Sequence, residues 1–243
     1  MKAVQTLWMD AGTGHRQPSL LWRLSNHFLR ENFDRVELYA DAEGRTYAEG
    51  AGLVYDEIFE LPPPHEGFAS LWSLGKLITA SRQTEPFIHV DGDVFLRTVP
   101  PAVPFIVQNA EPNWHSGTEI GAFWAKQIQP VADAPLLSYC FGIFGGTAHQ
   151  EIAAACQDTI DFLYANAEAM REPMAEEPLL CTILVEQIWV PMFLQKRGVE
   201  ITSYLDPAHM WEDAVQKRYF HAMGGKRNSA IMQRVEALAA RTL

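Results

Sequence analysis

Two aspartates separated by a single glycine, Asp91 and Asp93, are the residues in this chain whose types and spacing best suit chemistry. They fall within residues 87–95, which are predicted to form a strand, so that both carboxylates point to one side. Two such carboxylates can share a hard divalent cation with phosphate oxygens. Gly92 is expected to let a diphosphate approach the backbone. The bland alternative is a solvated turn that happens to carry two acids.

A cation held in this way would neutralise the charge that develops on a departing nucleoside diphosphate, which is what a glycosyl donor needs. A competing hypothesis is that the protein is a haloacid-dehalogenase-type phosphohydrolase, in which Asp91 is the nucleophile and Asp93 the general acid and base. That motif normally opens its domain, whereas three strand candidates precede Asp91 here. A third hypothesis is that the protein binds a nucleotide or sugar without transferring it.

The elements that must position this pair alternate between strands and helices in the first half of the chain. Apolar runs predict strands over residues 3–9, 36–40, 58–61, 87–95 and 105–108. Amphipathic periodicity predicts helices from Ser19, around residues 45–50 and over residues 68–82. Such alternation predicts a parallel sheet covered on both faces, with ligands at the carboxyl ends of the strands. That edge would hold Asp41 together with Asp91 and Asp93.

The second half of the chain is more helical. Thr147 and Gln150 form a capping-box pattern that predicts a helix running to about Met170. Another helix is expected from Pro178 to a left-handed cap at Gly198, with a kink or break at Pro191. A strand over residues 199–205 and a C-terminal helix after residue 228 complete the prediction.

Composition narrows the class of protein. The chain has 243 residues, of which 48% are hydrophobic, and it is expected to form one domain. A formal net charge of -11 argues against nucleic-acid binding. Three scattered cysteines argue against a disulfide framework. Because we find neither a signal peptide nor an apolar run of about 18 residues, we expect a cytoplasmic protein that does not span a membrane.

Four segments, in order, resemble the motifs of GT-A glycosyltransferases, specifically the retaining, family-eight-like group and small bacterial glycosyltransferase-like proteins. They are the aspartate pair, residues 139–146, the pair Glu186-Gln187, and residues 221–227. Cys140 stands where the group has asparagine, and Glu186 where it has aspartate. Lys226 lies one residue closer to His221 than the family spacing. The resemblance covers about residues 3–230.

The resemblance implies a mixed α/β sheet flanked by helices, with a nucleotide-sugar-binding half (residues 1–110) and an acceptor-side half (residues 111–243). It implies a hexosyltransferase that retains configuration, a UDP-sugar donor, an unidentified acceptor, and Mn²⁺ or Mg²⁺ as cofactor. Inversion of configuration stays open.

The resemblance also implies roles for single residues, and each role has a simpler structural alternative. His221 would be the third metal ligand rather than a surface histidine. Glu186 and Gln187 would be catalytic, stabilising the anomeric centre or binding the acceptor, rather than solvent-facing helix residues. The remaining expected donor contacts are Trp8, Asp41, Lys76 and Lys226, and the expected acceptor-side residues are Trp114, Gly145 and Gly146. For these, the alternatives are a core tryptophan, solvated surface charges and simple packing.

Overall fold

A seven-stranded mixed sheet lies at the centre of the fold in the computed structural model. The structure describes residues 1–9, 19–63, 67–111, 126–133, 136–222 and 228–243. The strands are β1 (Lys2–Leu7), β2 (Val36–Ala40), β3 (Glu57–Glu60), β4 (Phe87–Val90), β5 (Val94–Leu96), β6 (Phe105–Glu111), β7 (Ser138–Gly146), β8 (Ile201–Ser203) and β9 (Tyr219–His221). The sheet order is β3-β2-β1-β4-β7-β6-β8, and β5 pairs with β9 in a separate two-stranded sheet.

The direction of β7 makes the sheet mixed. Strands β1 to β4 pair in parallel, and β6 pairs in parallel with β8. Strand β7 runs antiparallel to both of its neighbours, β4 and β6. Strand–helix alternation had predicted a parallel sheet, and this is corrected because β7 inserts between two parallel blocks. The α/β class with a mixed central sheet is confirmed.

Helices cover both faces of this sheet. They are α1 (Ser19–Asn32), α2 (Ala42–Gly50), α3 (Ser73–Ser81), α4 (His149–Ala165), α5 (Ala167–Glu176), α6 (Pro178–Ile183), a π-helical segment (Leu184–Trp189), α7 (Val190–Lys196), α8 (Met210–Gln216) and α9 (Ser229–Thr242). Successive strand residues point to opposite faces, so Phe87 and Phe105 join the core under α3 and α4, while Ile88 and Ile106 join the core under α1.

Several helix boundaries differ from the sequence prediction. The prediction of a capping box is wrong. The Thr147 hydroxyl donates to the carbonyl of Val103, and no side chain caps α4. The helix also ends at Ala165, and α5 is a separate helix. The left-handed cap at Gly198 is confirmed by its φ of 71°, and Asn228 caps α9.

The helical run Pro178–Lys196 corrects the expectation that the chain contains no membrane-length apolar stretch. Its 19 residues are long and apolar enough to span a membrane, but 72% of the apolar window is buried inside the fold. Trp189 at its centre is fully buried in the core that includes α4. This run is therefore a core helix that packs on the sheet.

Candidate functional site

The aspartate pair lies in a tight turn and not within a continuous strand, as had been predicted for residues 87–95. Strand β4 ends at Val90, and the carbonyl of Asp91 accepts a hydrogen bond from the amide of Val94 at 3.0 Å. This turn places Gly92 and Asp93 at its centre. It leaves Asp91 at the carboxyl end of β4, next to β1 and β7, which is the edge where the sheet topology predicts ligands.

Pairing of two short strands brings His221 to this turn from far along the chain. In the small sheet, Val94 of β5 lies opposite His221 of β9. The amide of Ala222 also donates to the carbonyl of Asp93 at 3.0 Å. As a result, His221 Nε2 lies 3.5 Å from Asp93 Oδ1. The predicted convergence of the acidic pair with the distant histidine is thus present in the structure.

Asp91, Asp93 and His221 form a group that could hold a metal ion, since one ligand atom from each lies within 4.8 Å of the others. Opposite ligands of Mg²⁺ stand about 4.2 Å apart, twice a bond of about 2.1 Å, so small side-chain rotations would close the site. Two carboxylates and an imidazole suit a hard or borderline divalent cation. The Asp91 side chain is 16% exposed, which leaves it partly open to a ligand.

Lys76 of α3 connects this group to a second buried acid. Its Nζ lies 2.7 Å from Asp91 Oδ1, 2.9 Å from Asp91 Oδ2 and 2.8 Å from Glu186 Oε1. It also lies 4.7 Å from the centre of the Trp72 ring. Lys76 therefore pairs with two buried carboxylates, and its single positive charge offsets only one of their two negative charges.

Glu186 belongs to the π-helical segment, and its position follows from Pro191. Proline has no amide hydrogen, so the α-helical bond from residue 191 to the carbonyl of Gln187 cannot form. The helix widens over residues 184–189 just before it, and such π-helical turns are frequent at functional sites. Glu186 is fully buried, and its Oε2 has no hydrogen-bond partner among the described residues.

Electrostatic effects at the cluster follow from burial and opposing charges. Burial alone would lower the pKa of His221, but the negative charge of Asp93, together with hydrogen bonds to Asp93 and Cys140, outweighs it and raises that pKa to about 10. Burial raises the pKa of Glu186 to about 7, with Lys76 opposing the shift. Burial also raises the pKa of Asp91, against the attraction of Lys76. The cluster thus carries an excess of acidic groups whose charge an additional cation would stabilise.

Two residues that the sequence analysis did not single out hold His221 from behind. Gln108 Oε1 accepts a hydrogen bond from the Tyr219 hydroxyl at 2.5 Å and lies 2.7 Å from His221 Nδ1. Gln108 follows the apolar run of β6 and so comes to the same sheet edge as Asp91, which was the available signal in the sequence. Gly142 makes room for this contact, because a Cβ there would lie 2.3 Å from Gln108 Oε1.

The family to which this chain belongs follows from a comparison with known protein families. The sequence matches the family of unknown function DUF6734 over residues 1–242. The chain belongs to this family. No curated protein matches the chain.

Two solved structures resemble this DUF6734 chain at low sequence identity. The PaToxG glycosyltransferase has a TM-score of 0.46 and 13% identity, over 89% of this chain and 76% of that one. The inositol-1-phosphate CTP transferase from T. maritima has a TM-score of 0.40 and 10% identity, over 83% and 84% of the two chains. At these TM-scores neither likeness says anything about the function of this family member.

Three of the residues predicted to contact the donor make contacts that stabilise the fold of this DUF6734 chain. Trp8 is 6% exposed, and its Nε1 donates to the carbonyl of Pro62 at 3.2 Å. Asp41 is the N-cap of α2 and accepts from the amide of Gly44 at 2.7 Å. The side of Gly92 on which a Cβ would stand is filled by the Trp22 ring, 2.2 Å away. The missing side chain at position 92 thus makes room for an indole, and the approach of a diphosphate to this backbone stays a prediction.

The predicted acceptor-side glycines lie away from the cluster. Strand β7 is antiparallel to β4, so Gly146 pairs with Phe87 and Gly145 with Ile88, at the opposite end of β4 from Asp91. A Cβ at Gly145 would lie 2.2 Å from the carbonyl oxygen of Phe87, so this glycine permits close strand packing.

Gln187, expected beside Glu186 in a catalytic role, is half-buried in the π-helical segment and contacts Ser138, the first residue of β7. The Ser138 hydroxyl donates to its Oε1 at 3.4 Å. Trp114 and Lys226 lie outside the described residues, as do Gly224 and Gly225.

Proposed function

We propose that this chain is a metal-dependent glycosyltransferase that takes its sugar from a nucleotide-diphosphate sugar. The observation that carries the proposal is the convergence of Asp91, Asp93 and His221 at the carboxyl edge of the parallel strands. These ligand types suit Mn²⁺ or Mg²⁺. When bound, the cation would neutralise charge on the diphosphate leaving group.

The surrounding residues fit this assignment. Lys76 and Glu186 lie directly behind Asp91 and fix its carboxylate through the ammonium group. In the proposed site, Asp91 and Asp93 orient the cation, and Glu186 with Gln187 lies on the helix behind it. We propose UDP as the nucleotide because the motif order resembles transferases that use it; the acceptor is left open.

The place of the aspartate pair in the chain favours a transferase over a phosphohydrolase that attacks through Asp91. In that class of phosphohydrolase the aspartate motif normally opens its domain, whereas strands β1, β2 and β3 precede Asp91 here.

Calorimetry with UDP and Mn²⁺ tests the metal site. Asp93→Asn removes the charge of one ligand at nearly constant volume. Loss of a residue that only hydrogen-bonds a metal ligand typically costs about 10- to 100-fold in affinity, so we expect Mn²⁺-dependent UDP affinity to fall by at least about 100-fold here. Asp161→Asn, on the exposed face of α4, is the matched control and should bind as the wild type does. Equal UDP affinity in wild type and Asp93→Asn would contradict the proposal.

A library of nucleotide sugars and simple phosphate monoesters then separates the three candidate activities. Release of sugar that depends on Mn²⁺ and on Asp93 supports the transferase. Release of inorganic phosphate from monoesters would support the phosphohydrolase instead. Binding of UDP and Mn²⁺ with no turnover of any donor would support a non-catalytic nucleotide-binding protein.

A further inference from the structure

The hydrogen-bond directions behind His221 can be assigned from a backbone carbonyl, which can only accept. Asn109 contacts the carbonyl oxygen of Ala110 at 3.1 Å, so the atom making this contact must be its amide Nδ2. The other end of the same amide, Oδ1, is then an acceptor. It lies 3.0 Å from the side-chain amide of Gln108, which must present Nε2 to it.

This chain of contacts fixes the orientation of Gln108 as well. With Nε2 directed at Asn109, the oxygen Oε1 faces Tyr219 and His221 and can only accept from them. His221 Nδ1 must therefore carry a proton. The ring nitrogen left to coordinate a cation is Nε2, which faces Asp93.

We infer that Gln108 is a positioning residue for the metal site: it keeps the proton of His221 on Nδ1 and so directs the Nε2 lone pair towards the cation bound by Asp91 and Asp93. This inference rests on the proposed function. Hydrogen bonding of the second ring nitrogen of a ligating histidine typically sets both the orientation of the ring and the affinity for the metal.

The backbone around Gln108 supports a dedicated role. The pairing of β6 with β7 is regular at Val107–Phe144, shifts register, and resumes at Asn109–Cys140. Irregularities of this kind re-aim a side chain next to a functional site. Gln108 sits in the irregularity, opposite Gly142, where a Cβ would also lie 2.6 Å from His221 Nδ1. Both the register shift and the glycine serve the contact between Gln108 and His221.

The test compares Gln108→Leu with Gln108→Glu in the full chain, measuring Mn²⁺ affinity by calorimetry. Leucine removes the acceptor, and we expect Mn²⁺ binding about 10- to 100-fold weaker. Glutamate keeps an acceptor for Nδ1–H, so we expect binding at least as tight as in wild type. A role in packing alone predicts the reverse order, because leucine is tolerated in a buried site better than a carboxylate. Tyr219→Phe removes the other hydrogen bond to Gln108 Oε1, and as the control it should change affinity less than about threefold.

A spectroscopic readout identifies the coordinating nitrogen directly. In protein labelled with ¹⁵N-histidine and loaded with Cd²⁺, we expect the His221 ring to keep its proton on Nδ1 and to bind the metal through Nε2. Gly142→Ala, whose Cβ would meet both Gln108 Oε1 and His221 Nδ1, should disturb this pattern by separating the two side chains. Equal Mn²⁺ affinity and an unchanged ring pattern in Gln108→Leu would overturn the inference alone. Failure of the wild type to bind either ion would overturn the proposed function with it.

Discussion

Replacing Lys76 with methionine separates two roles for this residue, since it removes the ammonium group and keeps most of the apolar stem. In the structure Lys76 contacts Asp91 and Glu186, both of which are carboxylates with little or no exposure. From the sequence alone, Lys76 was expected to contact the donor. The substitution should therefore affect stability and metal binding in a way that a pure donor contact would not.

The cost of this change in free energy of unfolding can be approximated from its contacts. Removing one partner of a buried ion pair typically costs about 3–5 kcal/mol. Because the pKa of Glu186 is already about 7, this acid can take up a proton near neutral pH when Lys76 is gone. Because this proton uptake removes the unpaired charge of Glu186, we expect the loss in free energy of unfolding to lie near the lower end of that range, at about 3 kcal/mol. For a chain of this size the melting temperature should fall by roughly 6–12 °C.

Mn²⁺ should reverse part of this loss. Without Lys76, both oxygens of Asp91 become free for the cation and a repelling charge is removed. A unit charge about 4 Å away is worth about 4 kcal/mol at an effective dielectric constant of about 20, so a tenfold gain in Mn²⁺ affinity is a modest expectation. At saturating metal, a tenfold gain adds about 1.4 kcal/mol of stability, or roughly 3–6 °C.

Differential scanning calorimetry in EDTA and in Mn²⁺ measures both effects. Lys196→Met, an exposed lysine at the end of α7, is the control and should change the melting temperature little in either buffer. A Lys76→Met protein that melts within about 2 °C of wild type in EDTA would refute the ion-pair reasoning. A protein stabilised less than wild type by Mn²⁺ would refute the competition between lysine and cation. Normal Mn²⁺ binding with loss of UDP binding would support the donor-contact role instead.

Three further predictions concern glycines and the buried acid. Gly92→Ala should cost about 1–3 kcal/mol and weaken Mn²⁺ binding in calorimetry, because its Cβ meets the Trp22 ring. Gly145→Ala, with φ of 146° and a backbone contact at Phe87, should cost at least about 2 kcal/mol in urea unfolding but leave the Mn²⁺ affinity of the folded protein unchanged. Burial raises the pKa of Glu186 from 4.5 to about 7. Between these two pH values the native protein holds a proton that the unfolded chain has lost, so the free energy of unfolding falls as pH rises through this range. Glu186→Gln should flatten this pH dependence in urea unfolding at pH 5 and pH 7.5.

Local patterns in the sequence predicted much of the first half of the fold. The apolar runs at residues 36–40 and 58–61 correspond to β2 and β3, and the helix expected from Ser19 corresponds to α1. These elements depend on side-chain periodicity, which is a short-range property. The aspartate pair was likewise identified from its position after an apolar run.

Long-range pairing explains what the sequence did not reveal. Strand β7 carries glycines at both of its last two positions, which disguise a central strand because glycine is unfavourable there unless neighbouring backbone approaches closely. The three-residue strands β5 and β9 are too short to show periodicity, yet their pairing places His221 beside Asp93. Lys76 and Gln108 acquire their contacts only through tertiary packing. The position of Gln108 after an apolar run indicates the sheet edge, but the sequence does not indicate which side chains these two residues contact.

The charge balance of the cluster ties these observations together. Asp91, Asp93 and Glu186 face two groups that can be cationic, Lys76 and His221. A protonated His221 neutralises Asp93 in the same position where its Nε2 would otherwise coordinate a metal, so a proton and a divalent cation are alternative ways to balance the same acids. Lys76 is buried and reaches Asp91 from α3, on the core side of the cluster. The partly exposed side of Asp91 is then the side from which a cation and its diphosphate would approach.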